Sequence, residues 1–204
     1  MTYVRAEKAQ IDSWETIGNK GWNFDSLFPY YLKSEQFDIP TPAQIAAGAS
    51  YEENFHGEQG PLKVGYSYGL LNGSFVQGVE AAWGELGMPH NPDVNGGQVR
   101  GFTVWQSTLD RDANVREDAA RAYYYPIQSR PNLSIFLSTT ANRVIWKDST
   151  EVTAAGVEVT SANGTVSVIQ ARKEVILSAG SLRSPALLEL SGIGNPEYVT
   201  QIGP

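Results

Sequence analysis

Residues Glu174 to Gly194 read EVILSAGSLRSPALLELSGIG. The short apolar run Val175-Ile176-Leu177 predicts a fully buried strand, and the small residues Ser178-Ala179-Gly180-Ser181 then let the backbone turn with little side-chain bulk. A helix is expected next, with Ser184 as its cap, Pro185 in its first turn, and Leu187, Leu188 and Leu190 as its apolar face. Gly192 and Gly194 close it. A strand, a glycine turn and a helix N-terminus present unpaired backbone N–H groups where a phosphate can sit, although such turns also occur in α/β proteins without a ligand.

The 204 residues and 41% apolar content suffice for one large core or two small ones. With 15 basic and 22 acidic side chains the formal charge is −7, and no basic run offsets it. That argues against a nucleic acid or an anionic membrane surface as partner. No apolar stretch approaches the roughly twenty residues that span a bilayer, and the N-terminus lacks the layout of a secretory signal. Cysteine is absent, which excludes disulfides and thiolate metal sites. A charged-residue content of 18%, 11% aromatics and many Asn, Ser and Thr suit an extracellular protein, and three N-glycosylation sequons, of a kind chance supplies readily, occur at Asn72, Asn132 and Asn163.

Two amphipathic helices are expected first, one marked by Ile11 and Trp14, the other by Leu27, Phe28, Tyr31 and Leu32 with Asp25 as cap. Residues 37–60 read as loop with a helical turn at Ala43 to Ala47. Pro61 to Tyr66 reads as a strand. Phe75, Val76, Val79, Ala82, Trp83 and Leu86 recur at helical spacing and predict a buried stripe that ends at Gly87. The stretch MPHNPDVNGGQVRG, 88–101, has the composition of an irregular surface loop, and Phe102 to Gln106 that of a strand. Asn114 and Glu117 have capping-box spacing for a helix burying Val115, Ala119 and Ala122, which Pro126 terminates. Beyond a boundary near Arg130-Pro131 the pattern is β: Leu133 to Leu137, Asn142 to Trp146, Ala155 to Thr160 and Thr165 to Ala171, the last two joined by a hairpin turn at Asn163-Gly164.

Gly65-Tyr66-Ser67-Tyr68-Gly69 matches the G-x-S-x-G nucleophile pattern. Only His90 follows, leaving no room for a separate acid-bearing loop, and Leu70 to Gly73 interrupt the turn into the helix, so an ordinary glycine-rich turn is the better reading. His56 and His90 read as solvated loop residues, with no spacing that completes a metal site. Asp110, Asp112 and Asp118 interleave with Arg111 and Arg116 as a salt-bridged surface. The five Trp and ten Tyr read as core packing rather than a sugar-stacking surface. Neither G-x-G-x-x-G nor a P-loop occurs in the chain.

The run SAGSLRSPALLELSGIGNP, Ser178 to Pro196, resembles the second signature of the glucose-methanol-choline (GMC) oxidoreductases, a family of FAD enzymes. The resemblance continues upstream in family order through AQIDSWETIGNKGWNFDSLFPYYLKSE, GPLKV, DVNGGQVRGF, NVREDAARAYYYP and ANRVIW. It is nearest to the fungal glucose oxidases and FAD-dependent glucose dehydrogenases, with the dehydrogenase side favoured by DVNGGQVRGF and REDAARAYYYP. It implies an α/β fold combining part of an FAD-binding domain with part of the family's substrate domain. Residues 1–60 would link the flavin region to the rest, 61–131 belong to the substrate side, and 132–204 return to the FAD domain.

The resemblance also implies that this chain is a central fragment. The family's G-x-G-x-x-G would precede Met1 and its catalytic histidines would follow Pro204, so no catalytic residue and no metal ligand is carried over. Thr2 matches a flavin-contacting position, and Ala141, Arg143 and Val144 match a strand whose backbone meets the adenine edge. Ala179 and Gly180 match the last parallel strand of the FAD domain, where a side chain would collide with the cofactor. The implied reaction is hydride transfer from the CH–OH group of a small alcohol or sugar to flavin. A non-catalytic protein that keeps the oxidoreductase shell to bind a carbohydrate or a partner is the alternative.

Overall fold

The computed structural model describes residues 2–70 and 73–202, the last three of them by backbone alone. Asn72 of the first sequon lies outside the described residues, as do Met1 and Pro204. The chain divides into two compact units, Met1–Pro131 and Asn132–Pro204.

In the first unit, helix α1 (Lys8–Thr16) buries Ile11, and its acids tie down the connection to helix α2 (Phe24–Ser34). Asp12 accepts from Phe24 N–H at 2.8 Å, and Glu15 accepts from Gly21 N–H and from the Asn23 amide, each at 2.8 Å. The cap of α2 is Asn23, not Asp25: Asn23 is extended and its side chain accepts from Ser26 N–H. Asp25 falls instead in the first turn, where the helix dipole favours an acid, and pairs with Lys8. Strand β1 (Glu35–Phe37) follows directly, then a short helix α3 (Pro42–Ala46) closed by a capping box between Thr41 and Gln44.

Strand β2 (Leu62–Gly65) pairs parallel with β1, and the loop between them crosses α2 closely. A Cβ on Gly57 would stand 1.9 Å from Leu32 O, so only glycine fits there. After helix α4 (Ser74–Glu85), strands β3 (Ser107–Asp110) and β4 (Val115–Arg116) complete an antiparallel edge, giving the order β1-β2-β3-β4. Val64, Tyr66, Val94 and Leu109 are buried in this unit. The Tyr66 hydroxyl donates to Ser50 O at 2.5 Å, and burial pushes its pKa up to about 12.

Several expectations are corrected here. The α4 helix forms but its apolar stripe is largely exposed, with Phe75 at 81% and Leu86, just past the helix end, at 80%, while Val76 and Val79 are half-buried, because among the described residues no helix or strand packs broadly against it. Four of the five tryptophans, Trp14, Trp22, Trp83 and Trp105, are exposed rather than core. The 88–101 stretch is irregular but partly interior: Asn91, Asp93, Val94 and Asn95 are buried, while Pro89, His90, Pro92, Gln98 and Arg100 are exposed. Its own side chains satisfy its backbone, as Asp93 N–H donates to Asn91 Oδ1 and Asn95 N–H to Asp93 Oδ1. Phe102 makes only a single bridge to His90, and the ladder begins at Ser107. Asn114 caps no helix. It takes the left-handed φ of +51° in the turn that folds β4 onto β3, a conformation asparagine tolerates, and a five-residue π-helical turn starts only at Ala120.

In the second unit, strands β5 (Thr140–Trp146), β6 (Ala154–Thr160) and β7 (Val166–Gln170) form an antiparallel meander. The turn between β6 and β7 is held by Asn163 Oδ1, which accepts from Thr165 N–H and Ser161 Oγ. Helix α5 (Gly180–Leu190) packs on β5, burying Leu187 and Val144, and helix α6 (Pro196–Ile202) follows. Neither the 133–137 nor the 175–177 run is a strand. Ile176 is 74% exposed, and among the described residues no neighbouring strand supplies the ladder that either run needs.

Candidate functional site

Helix α5 begins four residues before the expected cap. Gly180 opens it at φ +89°, and Pro185 is accommodated inside it. Ser184 still acts at the N-terminus, accepting from Ala179 N–H at 2.9 Å. Beyond its chain neighbours and the helix's own backbone, no atom of the described residues lies within 4 Å of the place a Gly180 Cβ would take, and the backbone angle by itself favours glycine here.

Between this helix start and the beginning of β5 lies a cleft of about 390 Å³, lined by Thr139, Thr140, Ala141, Ala179, Arg183 and Leu187 among others. Ala141 and Ala179, far apart in sequence, thus border one cavity. Alanines leave its floor open, leucines give an apolar wall, and two threonines and an arginine supply polar edges. Arg183 makes no ion pair among the described residues. The first N–H groups of α5 have no intrahelical partner. The combination suits a flat ring with hydroxyl or anionic appendages.

Arg143 and Val144 are engaged within the fold. Arg143 pairs with Glu158 at 3.1 Å, and this pairing, with a further contribution from Asn142, holds the Glu158 carboxyl below its usual range. Val144 is buried, and its N–H donates to Ser191 Oγ at 2.8 Å. Ser191 also donates to Leu187 O and receives the Trp146 indole N–H on its carbonyl, so one residue fastens α5 to β5.

Thr2 belongs to the first unit, where it is exposed and bridges Ser107. The same short segment carries a buried charge cluster. Arg5 Nη2 donates to Glu35 Oε2 at 2.7 Å, and His56 lies between Glu35 Oε1 at 3.0 Å and Asp93 Oδ2 at 2.6 Å. His56 is therefore a buried, doubly paired side chain and not a solvated loop residue. His90 is exposed and pairs with Glu80. The Asp110 group pairs with Lys63 and Arg121, neither of them an arginine expected from local spacing. Ser67 Oγ donates to Gly69 O in a turn well short of α4, and among the described residues it makes no hydrogen bond to a histidine or carboxylate. Among the described residues no group of three or more His, Cys, Asp or Glu is placed to hold a metal ion, and none of their helices is long and apolar enough to cross a membrane.

The family profile described as GMC oxidoreductase matches residues 1–203. The chain belongs to the GMC oxidoreductase family. This GMC chain is 49% identical over 189 residues to a glucose oxidase-like protein of Humicola fuscoatra, covering 90% of this chain and 32% of that protein. It is 34% identical to a glucose oxidase of Aspergillus carbonarius, over 99% of this chain and 34% of the relative. Among solved structures it is similar to an FAD-dependent oxidoreductase from Chaetomium thermophilum, with a TM-score of 0.88 and 33% identity over 100% of this chain and 34% of that one. The chain thus spans about a third of the length of the curated relatives it matches.

Sequence reasoning missed Arg5, Glu35 and Asp93 and misplaced His56. Their numbers share no period or motif spacing, so no local signal marks them. Their only common feature is that tertiary folding brings them together.

Proposed function

We propose that the chain forms one wall of an FAD pocket in an oxidoreductase acting on the CH–OH group of a small alcohol or sugar. The cleft shared by Ala141 and Ala179 at the start of α5 carries this reading. Its small side chains leave room for a ring, and Thr139, Thr140 and Arg183 match the hydroxyl and phosphate groups of a dinucleotide. Ala141, Ala179 and Gly180 would border the cofactor, with Thr2 the flavin-side position. Arg143 and Val144, committed to Glu158 and Ser191, would shape β5 beneath it.

Flavin, when bound, supplies the hydride acceptor. The residues of this chain position it, and no catalytic base is assigned to them, since His56 is enclosed by carboxylates and His90 is an exposed residue in contact with Glu80. A sugar as substrate is supported by the names of the two relatives, one a glucose oxidase-like protein and one a glucose oxidase. Exposed Asn132 and Asn163 support export and glycosylation.

Residues 1–204 alone are expected to show no turnover and only weak cofactor binding. Titration of the 15N-labelled chain with ADP should shift amides at 139–141 and 179–183, and Ala141→Trp should abolish the shifts. Unmoved signals at those positions with ADP in the millimolar range would overturn the cleft assignment. Flavin retained in stoichiometric amount by 1–204 through gel filtration would overturn the expectation of weak binding.

A further inference from the structure

His56 lies where three stretches of the first unit converge. Glu35 of β1 faces Nδ1, Asp93 of the 88–101 stretch faces Nε2, and Phe37 stacks on the ring with centroids 3.7 Å apart. A neutral imidazole carries one N–H and one lone pair, so between two carboxylates one contact would oppose lone pair to lone pair. Both carboxylates are otherwise engaged as acceptors. Asp93 also accepts from the N–H groups of Glu52 and Asn95, and Glu35 from Arg5 and Gly57 N–H. Burial works against a charge on the ring, but the hydrogen bonds to Asp93 and Glu35 outweigh it and hold the His56 pKa above its ordinary value.

The charges balance only when the ring is protonated. Arg5 and His56 then offset Glu35 and Asp93, whereas a neutral ring leaves the buried group one negative charge in excess. Lys33 of α2 and Glu58, opposite in sign, border the shallow cleft reaching His56, and the titratable neighbours are Tyr51 beside the ring, Tyr3 beside Arg5 and Glu35, and Tyr66 beside Asp93.

Glu35 connects this ring to the N-terminal segment. Its Oε2 holds Arg5, whose Nη1 donates to the carbonyls of Phe55 and Asn95 and whose N–H donates to Asn95 Oδ1. Tyr3 N–H donates to Gln106 O at 2.8 Å, and Thr2 bridges Ser107. Arg5 Nε and Gln106 Nε2 are buried without a partner, so the segment depends heavily on the bonds it does make.

We propose that His56 is a proton-operated latch: as an imidazolium it fixes Glu35 for Arg5 and so holds residues 2–5 against the 95 and 106–107 positions, and on losing its proton it releases them. The latch itself is independent of the cofactor reading. Only its consequence, movement of the flavin-side position Thr2, rests on that reading.

Nuclear magnetic resonance of the intact chain tests this. The 15N shifts of the His56 ring should report two protonated nitrogens at about pH 7. As pH rises and the ring loses its proton, exchange of the Tyr3 and Arg5 amides should accelerate by roughly tenfold or more beyond the intrinsic base-catalysed rate, the free-energy equivalent of one pKa unit. His56→Gln should remove that excess pH dependence. A neutral His56 ring at pH 7 would overturn the proposal, and so would a ring that titrates while exchange at Tyr3 and Arg5 follows the intrinsic rate. Both decisive readings come from the unmodified chain, so they hold even where the variant fails to fold.

Discussion

Glu35 is the residue on which the interior of the first unit turns. It is fully buried and accepts from Arg5, His56 and Gly57 N–H, so its charge is matched on three sides. A buried ion pair adds little over an apolar replacement, but removing one partner strands the other, at a cost of about 3–5 kcal/mol. Glu35→Gln removes the charge while keeping the shape. It should lower the stability of the chain by that order, read as a shift in the urea midpoint at unchanged slope. A shift within the scatter of surface substitutions would mean that Arg5 and His56 find other partners.

Among the elements, the joint between α5 and β5 depends most on a single side chain. Ser191 binds Val144 N–H, Leu187 O and, through its carbonyl, the Trp146 indole. Ser191→Ala leaves the buried Val144 N–H without an acceptor, which costs about 1–3 kcal/mol. Faster hydrogen exchange at Val144, with the β6–β7 hairpin unaffected, is the expected signature. The elements that formed as read, α1 to α4, β2 and the β5–β7 meander, carry their cause locally, in apolar spacing, caps or a turn. Those that did not form, at 133–137 and 175–177, have strand composition but lack a partner, and composition cannot provide one. The 114–117 capping box lost to a hairpin because the same asparagine serves a left-handed turn equally well.

For the whole molecule, stability should be bounded on both sides of pH. Asp93 is pushed up by burial, but hydrogen bonds from His56 and from the Glu52 and Asn95 backbone bring it below its usual range, and Asp110 is lowered chiefly by Ala113 N–H and Lys63. A depressed carboxylate contributes stability present above its unfolded pKa of 3.8 and lost as pH falls through the folded value. His56, raised above 6.5, contributes stability fully present below that pH and lost as pH rises through its folded value. Thermal melts should therefore peak between about pH 4 and 6.5. His56→Gln should flatten the upper limb, and a wild-type upper limb as flat as the variant's would contradict this assignment.

The sequence by itself determined the family, through the Ser178 to Pro196 run, and most of the helices and the β6–β7 hairpin, because such signals act over a few neighbouring residues. It also placed Ala141 and Ala179 as candidates, through resemblance. Only the tertiary structure decided that these two alanines border one cleft, that Asn91 and Asp93 to Asn95 are buried, and that Arg5, Glu35, His56 and Asp93 form one charged cluster. Burial and ion pairing depend on what folding brings alongside a residue, and separations of 20 to 90 positions leave no periodic trace in the chain.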